Sequence, residues 1–294
     1  MAKVLFYDIE TAPNLAYVWG QYDQNVVRQY REWFVLCFSY RWEGQKATKV
    51  VSLPDFELYD TDPENDREVA QALWNLFDEA DVVIAHNGDK FDMRKANARF
   101  AYHGMTPPSM PQQVDTLKVA RRYFMFNSNK LGDLGEHLGL GNKEATGGFE
   151  LWAGCMRGDE KSWRTMKKYA KQDVDLLQSV YERLRPWMTN HPNRALLDNR
   201  PDSCPTCGHH DLIRRGNRMS RVAQYVQYQC KSCGSYCRER VRSGSASPNL
   251  VPYRKASNPR PGERYRSGVA HMNNTKQIID VDYYPGRALF RMSV

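Results

Sequence analysis

Two acids close an otherwise apolar stretch near the start of the chain, Asp8 and Glu10 in VLFYDIET. Lying two apart on a strand, they share one face with Val4 and Phe6. Asp-x-Glu alone arises by chance about once in a chain of this length, so its weight depends on what joins it. The segment HNGDKFD begins where an apolar strand ends and closes on Asp92 at the start of a helix; sites gather at such strand ends in α/β sheets. In KYAKQDVDLL, Asp173 stands between Ala170, Val174 and Leu177, on the flank of an apolar helical stripe. An acid there is costly unless paired or metal-bound. Tyr169 lies one turn earlier on the same face, whereas Asp175 points outward to solvent.

Two like charges about 4 Å apart repel by roughly 4 kcal/mol at an effective dielectric near 20. Four converging carboxylates would therefore destabilise the fold or take up protons unless divalent cations neutralised them. Hard oxygen ligands suit two Mg²⁺ or Mn²⁺ ions, held about 3.5–4 Å apart, which clamp the attacking and leaving oxygens of a phosphodiester. The blander alternatives are a solvated strand end for Asp8 and Glu10, a helix cap for Asp92 and a packing ring for Tyr169.

Cysteines supply a second constellation. CPTCG and CKSCG place Cys204, Cys207, Cys230 and Cys233 in two Cys-x-x-Cys-Gly turns, close to four-cysteine zinc spacing. Glycine after the second cysteine suits the tight turn, where a positive φ is needed. Four thiolates close the tetrahedron, so one structural Zn²⁺ is expected. Cys237 is spare, and Cys37 and Cys155 are isolated thiols. RVAQYVQYQ alternates like a strand between the turns, and the segment resembles a zinc ribbon, of the kind attached to transposases and other nucleic-acid enzymes. Arg214, Arg215, Arg218, Arg221, Arg238 and Arg240, interleaved with aromatic residues such as Tyr228, suit phosphate contact and base stacking. A ribbon that only packs on its neighbour or binds a protein is the alternative.

The elements that must position these residues alternate between strand and helix up to about residue 190. Strands are expected at Val4–Asp8, Phe34–Trp42, Thr48–Leu53 and Asp81–His86. Amphipathic helices are expected at Asp66–Ala80, Phe91–His103, Val114–Phe124, Lys130–Leu138 and Lys161–Trp187. The glycines between Gly139 and Gly158 read as loop. The pattern is that of an α/β domain over 1–190, followed by a zinc segment over 200–240. A basic Ser/Pro/Arg-rich tail over 241–294 then closes the chain, with strand-like alternation at its end.

Charge is divided along the chain. Residues 1–190 hold 24 Lys+Arg against 27 Asp+Glu, and residues 191–294 hold 18 against 7. The positive excess belongs to the C-terminal third, the footprint of polyanion binding. No stretch reaches the roughly 18 apolar residues of a membrane span, and nothing reads as a signal peptide, so a cytoplasmic location and no membrane partner are expected.

DIET, HNGDKFD and YAKQD, in that order, resemble the DEDD superfamily of 3′→5′ exonucleases, in its tyrosine subgroup that includes proofreading domains. The resemblance implies a ribonuclease H-like mixed sheet flanked by helices over about residues 1–190. It implies that Asp8 and Asp173 hold a first metal, that Glu10 and Asp8 bridge to a second, and that Asp92 holds the second directly or through water. Tyr169 would orient the attacking water through its hydroxyl. Asn87 and Phe91 would support the strand-end geometry, with Asp115 beside them or at the substrate end. The expected activity is metal-dependent 3′→5′ exodeoxyribonuclease action on single strands or 3′ ends, serving DNA repair, with a replication or repair protein as a further partner. An exoribonuclease with the same chemistry, a non-catalytic nucleic-acid-binding adaptor and a transposase are the rivals; the last would lack the Tyr-x-x-x-Asp pairing.

Overall fold

A computed structural model of the chain describes residues 2–20, 22, 25–142, 148–220 and 223–240, together with the backbone of 283–284 and 287–288. The chain starts with strands β1 (Val4–Thr11), β2 (Leu15–Tyr17), β3 (Arg28–Arg31), β4 (Val35–Trp42) and β5 (Lys49–Ser52). Helices α1 (Leu58–Thr61) and α2 (Arg67–Glu79), strand β6 (Val82–Ala85), helix α3 (Asp92–Tyr102), strand β7 (Gln112–Asp115) and helix α4 (Thr116–Tyr123) follow. Next are α5 (Leu131–His137), α6 (Phe149–Met156), α7 (Glu160–Leu184) and α8 (Arg194–Leu197). Strands β8 (Leu212–Met219), β9 (Gln224–Cys230) and β10 (Tyr236–Arg238) come after them, and then the short pair β11 (Tyr283–Tyr284) and β12 (Arg287–Ala288).

A five-stranded mixed sheet has the order β5-β4-β1-β6-β7. β1 runs antiparallel to β4 and parallel to β6, and β7 continues parallel to β6. β1 is central and buried on both faces, which is why its sequence is apolar almost throughout. Leu5, Tyr7 and Ile9 pack in one cluster with Val69, Leu73 and Phe77 of α2. Val4 and Phe6 pack in the other with Val174, Leu177 and Tyr181 of α7.

Helix α7 recurs to the sheet at three- and four-residue spacing, burying Met166, Ala170, Val174, Leu177, Tyr181 and Leu184. Asp159 caps its start, accepting from the Ser162 N–H at 2.9 Å. The Tyr181 ring meets Phe6 edge-to-face at 5.4 Å. This contact sets the helix register: eight helical residues back to Asp173 rise about 12 Å, and four strand residues from Phe6 to Glu10 span about 13 Å. Fixing Tyr181 on Phe6 therefore carries Asp173 alongside the acidic end of β1.

Two expectations are corrected. Val114–Phe124 is not one helix: Gln112–Asp115 forms β7, and α4 starts only at Thr116. Two glutamines at the sheet margin hide a strand whose apolar content is little more than Val114. The loop expected across Gly139–Gly158 contains α6. Its Gly154 is a close-approach residue, since a Cβ there would sit 2.1 Å from the Ser162 Oγ. The hairpin β2–β3 and strand β8 were not expected at all.

By contacts the chain divides into two compact units, Met1–Ser220 with Gln224–Gly244, and Arg221–Ala223 with Ser245–Val294. The first unit holds the large sheet and also a three-stranded sheet, β10-β9-β8. Buried Arg194 of α8 pairs with half-buried Glu43, just past the end of β4, its Nη1 standing 2.7 Å from Glu43 Oε2, with Arg185 on the same carboxylate at 3.7 Å. In the second unit β11 pairs antiparallel with β12; the rest of the expected basic tail from 241, like Arg221, lies outside the described residues. Among the described residues no helix is long and apolar enough to cross a membrane.

Candidate active site and metal centres

Beyond Phe6 the pairing of β1 with β6 stops, and the end of β1 opens into the site. One carboxylate oxygen each from Asp8, Glu10 and Asp173 lies within 4.8 Å of the others. Asp8 and Glu10 are half-buried, while Asp173 is 3% exposed. At 4.8 Å each pair repels by about 3 kcal/mol with an effective dielectric near 20, an arrangement that favours a counter-cation. The donor set is all oxygen, and the spacing is within reach of one hard divalent ion with bonds of about 2.0–2.6 Å. The three acids thus fit such a metal.

Tyr169 borders this cluster from α7, its hydroxyl donating to the Asp173 carboxylate. Burial, then the charges of Asp173 and Glu10, push its phenol well above the ordinary value. The group stays protonated at any physiological pH and is a fixed O–H donor rather than a base. Its ring packs edge-to-face on Trp152 of α6 at 6.0 Å, so the helix the glycines concealed holds the tyrosine in place. The apolar run FELWAGC was the available signal for α6.

Asp92 is buried at 2% exposure and stands outside the three-acid cluster. Its Oδ1 accepts from the Ile9 N–H at 3.0 Å, the backbone donor between Asp8 and Glu10 on the strand. Burial pushes its carboxyl up to about 7, against the lowering hydrogen bonds from the Ile9 and Asp92 backbones. Asp115 is also buried; its Oδ1 accepts from Asn87 N–H at 2.9 Å and caps α4 through Leu117 and Lys118 N–H. Asn87 takes φ +68°, turning the chain out of β6. Phe91 precedes α3 with its ring 40% exposed and Lys95 Nζ 5.5 Å from the ring centre. The turn before Asp92 is thus held by the Asn87–Asp115 hydrogen bond and by the Phe91 N–H, which bonds the Asn87 carbonyl at 3.0 Å.

At the second centre Cys204, Cys207, Cys230 and Cys233 come together. Cys204 and Cys233 sulfurs stand 3.7 Å apart, and those of Cys207 and Cys230 3.6 Å. A zinc tetrahedron with bonds of about 2.3 Å has edges of about 3.8 Å, so the thiols fit Zn²⁺. Gly208 and Gly234 close both turns at φ +74° and +78°, with their N–H groups bonded to Cys204 and Cys230 carbonyls. Cys237 and the stacked His209 and His210 remain outside the cluster.

On the three-stranded sheet, Arg214 pairs across from Tyr228 and Arg218 from Tyr225. Arg214, Arg215, Arg218, Arg238 and Arg240 are exposed. Arg238 stacks 3.9 Å over the Tyr225 ring, Arg215 donates to Gln229 at 3.0 Å, and Tyr228 donates to Glu239 at 2.6 Å.

A family model described as the RNase H superfamily matches residues 5–185. Among solved structures, the family B DNA polymerase from the hyperthermophilic archaeon Pyrobaculum calidifontis is similar at 17% identity and a TM-score of 0.47. That match covers 64% of this chain and 25% of the polymerase, so the chain spans about a quarter of its length. No curated protein matches the chain. The family match takes in the strand-end acids, Tyr169 and Asp173. The chain belongs to the RNase H superfamily.

Proposed function

We propose that the protein is a 3′→5′ exodeoxyribonuclease of the DEDD type, tyrosine subgroup. The observation that carries this reading is the cluster of Asp8, Glu10 and Asp173 with the Tyr169 hydroxyl bonded to its edge. Asp8, Glu10 and Asp173 would hold one Mg²⁺ or Mn²⁺, with Asp92 serving a second. Bound there, the two ions would supply Lewis-acid activation of water and charge neutralisation on the scissile phosphate. The chain's own contribution is position. The Asp173 carboxylate fixes the Tyr169 hydroxyl, which orients the attacking water without taking its proton. Asp92 holds the Ile9 peptide, and through it the spacing of Asp8 and Glu10.

In this reading residues 1–190 are the nuclease domain and 200–240 a zinc ribbon with one structural Zn²⁺. Arg214, Arg218 and Arg238, together with the basic tail, tether DNA through its phosphates. Zinc thiolates suit a reducing, cytoplasmic setting, and action on 3′ ends fits DNA repair.

The test is a comparison of 5′-labelled DNA and RNA, single- and double-stranded, with Mg²⁺ or Mn²⁺. Stepwise shortening of DNA from the 3′ end is expected, with release of nucleoside monophosphates. Preferential shortening of RNA would move the assignment to an exoribonuclease, and no metal-dependent cleavage of any of the four would remove the enzyme.

A further inference from the structure

Past Thr11 the chain leaves the sheet for the β2–β3 hairpin, which turns aromatic side chains to solvent. Tyr17 is 61% exposed, Trp19 88% and Tyr30 70%. Tyr17 lies opposite Arg28, so Tyr17, Arg28 and Tyr30 share one face; the two rings meet edge-to-face at 6.2 Å. Arg28 is also exposed. No packing against the core explains these rings, and a two-stranded hairpin gains little stability from them alone.

The hairpin is fixed to the acid-bearing strand. Asn14 Oδ1 accepts from Trp33 N–H at 2.9 Å and from Gln29 Nε2 at 3.0 Å. Ala12 N–H bonds the Phe34 carbonyl at 2.9 Å. At this root lies an open cavity of about 300 Å³, lined among others by Thr11, Trp33, Lys95 and Trp152. Lys95 Nζ sits 3.5 Å over the Trp33 ring, and Trp152 touches Tyr169 on its other side. Rings and cations thus line the way from the acid cluster to the root of the hairpin. Aromatic faces alternating with cations match unpaired bases alternating with phosphates.

We propose that the Tyr17–Arg28–Tyr30 face, together with Trp33 and Lys95 at the hairpin's root, guides unpaired nucleic-acid strand toward the acid cluster. The inference rests on reading that cluster as the cleavage site. Tyr17 is seven residues from Glu10, a reach of at most about 25 Å. A strand must therefore extend beyond the cleaved nucleotide to gain from the hairpin, and a mononucleotide ester cannot.

The test uses the full chain with Tyr17→Ala/Tyr30→Ala, and Tyr17→Phe/Tyr30→Phe as the stacking-competent control. Affinity for a labelled single strand of about 30 nucleotides is measured by anisotropy in Ca²⁺, where the alanine pair should weaken binding about ten- to a hundredfold. The phenylalanine pair should bind like wild type. Turnover of the p-nitrophenyl ester of thymidine 5′-monophosphate should be the same in all three proteins. Unchanged strand affinity in the alanine pair overturns the proposal, as does an equal loss on a blunt duplex, which offers no unpaired bases. A changed sedimentation coefficient with unmoved strand affinity also overturns it, marking the face as a contact between copies of the chain. If the alanine pair loses affinity while wild type cleaves neither ester nor strand, the guide stands and the nuclease reading falls.

Discussion

Replacing Asp92 by Asn should stabilise the protein in Mg²⁺-free buffer, by an amount that grows with pH. Burial lifts the Asp92 carboxyl from 3.8 to about 7. Between those values the folded chain keeps a proton that the unfolded chain has released, so stability falls as pH rises through this window. At about 1.4 kcal/mol per pH unit, the penalty is on the order of 4 kcal/mol once the pH exceeds the folded value. Asn keeps an oxygen for the Ile9 N–H, now accepted at 3.0 Å, and cannot ionise. Urea unfolding at a series of pH values, with zinc retained, measures the difference between Asp92→Asn and wild type. It should widen by about 2 kcal/mol between about pH 5.5 and 8, a range chosen to keep the zinc thiolates intact. Mg²⁺ should then narrow the difference, because both chains keep Asp8, Glu10 and Asp173 for one ion while only wild type adds the Asp92 carboxylate for a second. A difference that ignores pH, or a variant less stable than wild type at pH 8, would refute the reasoning.

Tyr169→Phe removes the hydroxyl bonded to Asp173 and should lower kcat by about a hundredfold or more, with Mn²⁺ affinity by calorimetry unmoved; an unaffected kcat would show that the hydroxyl has no part in the reaction. Gly154→Val drives a side chain into Ser162 and should cost about 1–3 kcal/mol by thermal melting, with a fall in activity as α6 shifts Trp152 off Tyr169. Cys204→Ser with Cys230→Ser should take metal analysis from one zinc per chain to none, while hydrolysis of a mononucleotide ester, which needs only the acid cluster, persists.

Much of the site was legible because its residues carry local signals. Asp8 and Glu10 interrupt an apolar strand, Asp173 interrupts an apolar helix stripe, and the two cysteine turns repeat the same glycine. Each is a charge or a reactive group where packing alone would place something else. What the sequence hid was set by tertiary contact. β7 is a strand because β6 offers it a parallel edge, with Val82–Ala85 pairing Gln112–Asp115; its glutamines carry little β preference. α6 forms in a glycine-rich stretch because Gly154 allows close approach to α7, a reason visible only once Ser162 is seen beside it. Spacing also could not tell that Asp92 stands off from the other three acids, since its carboxylate holds the Ile9 peptide. The hairpin went unread because its rings pack on no core and so leave no burial pattern in the sequence.

The most direct measurement is anomalous diffraction from crystals of the protein grown with Mn²⁺. The account predicts a manganese peak bonded to Asp8, Glu10 and Asp173, a second reached by Asp92 directly or through water, and zinc at the four cysteines. Density for zinc alone, with the three acids turned to solvent or paired with lysines in saturating Mn²⁺, would contradict it.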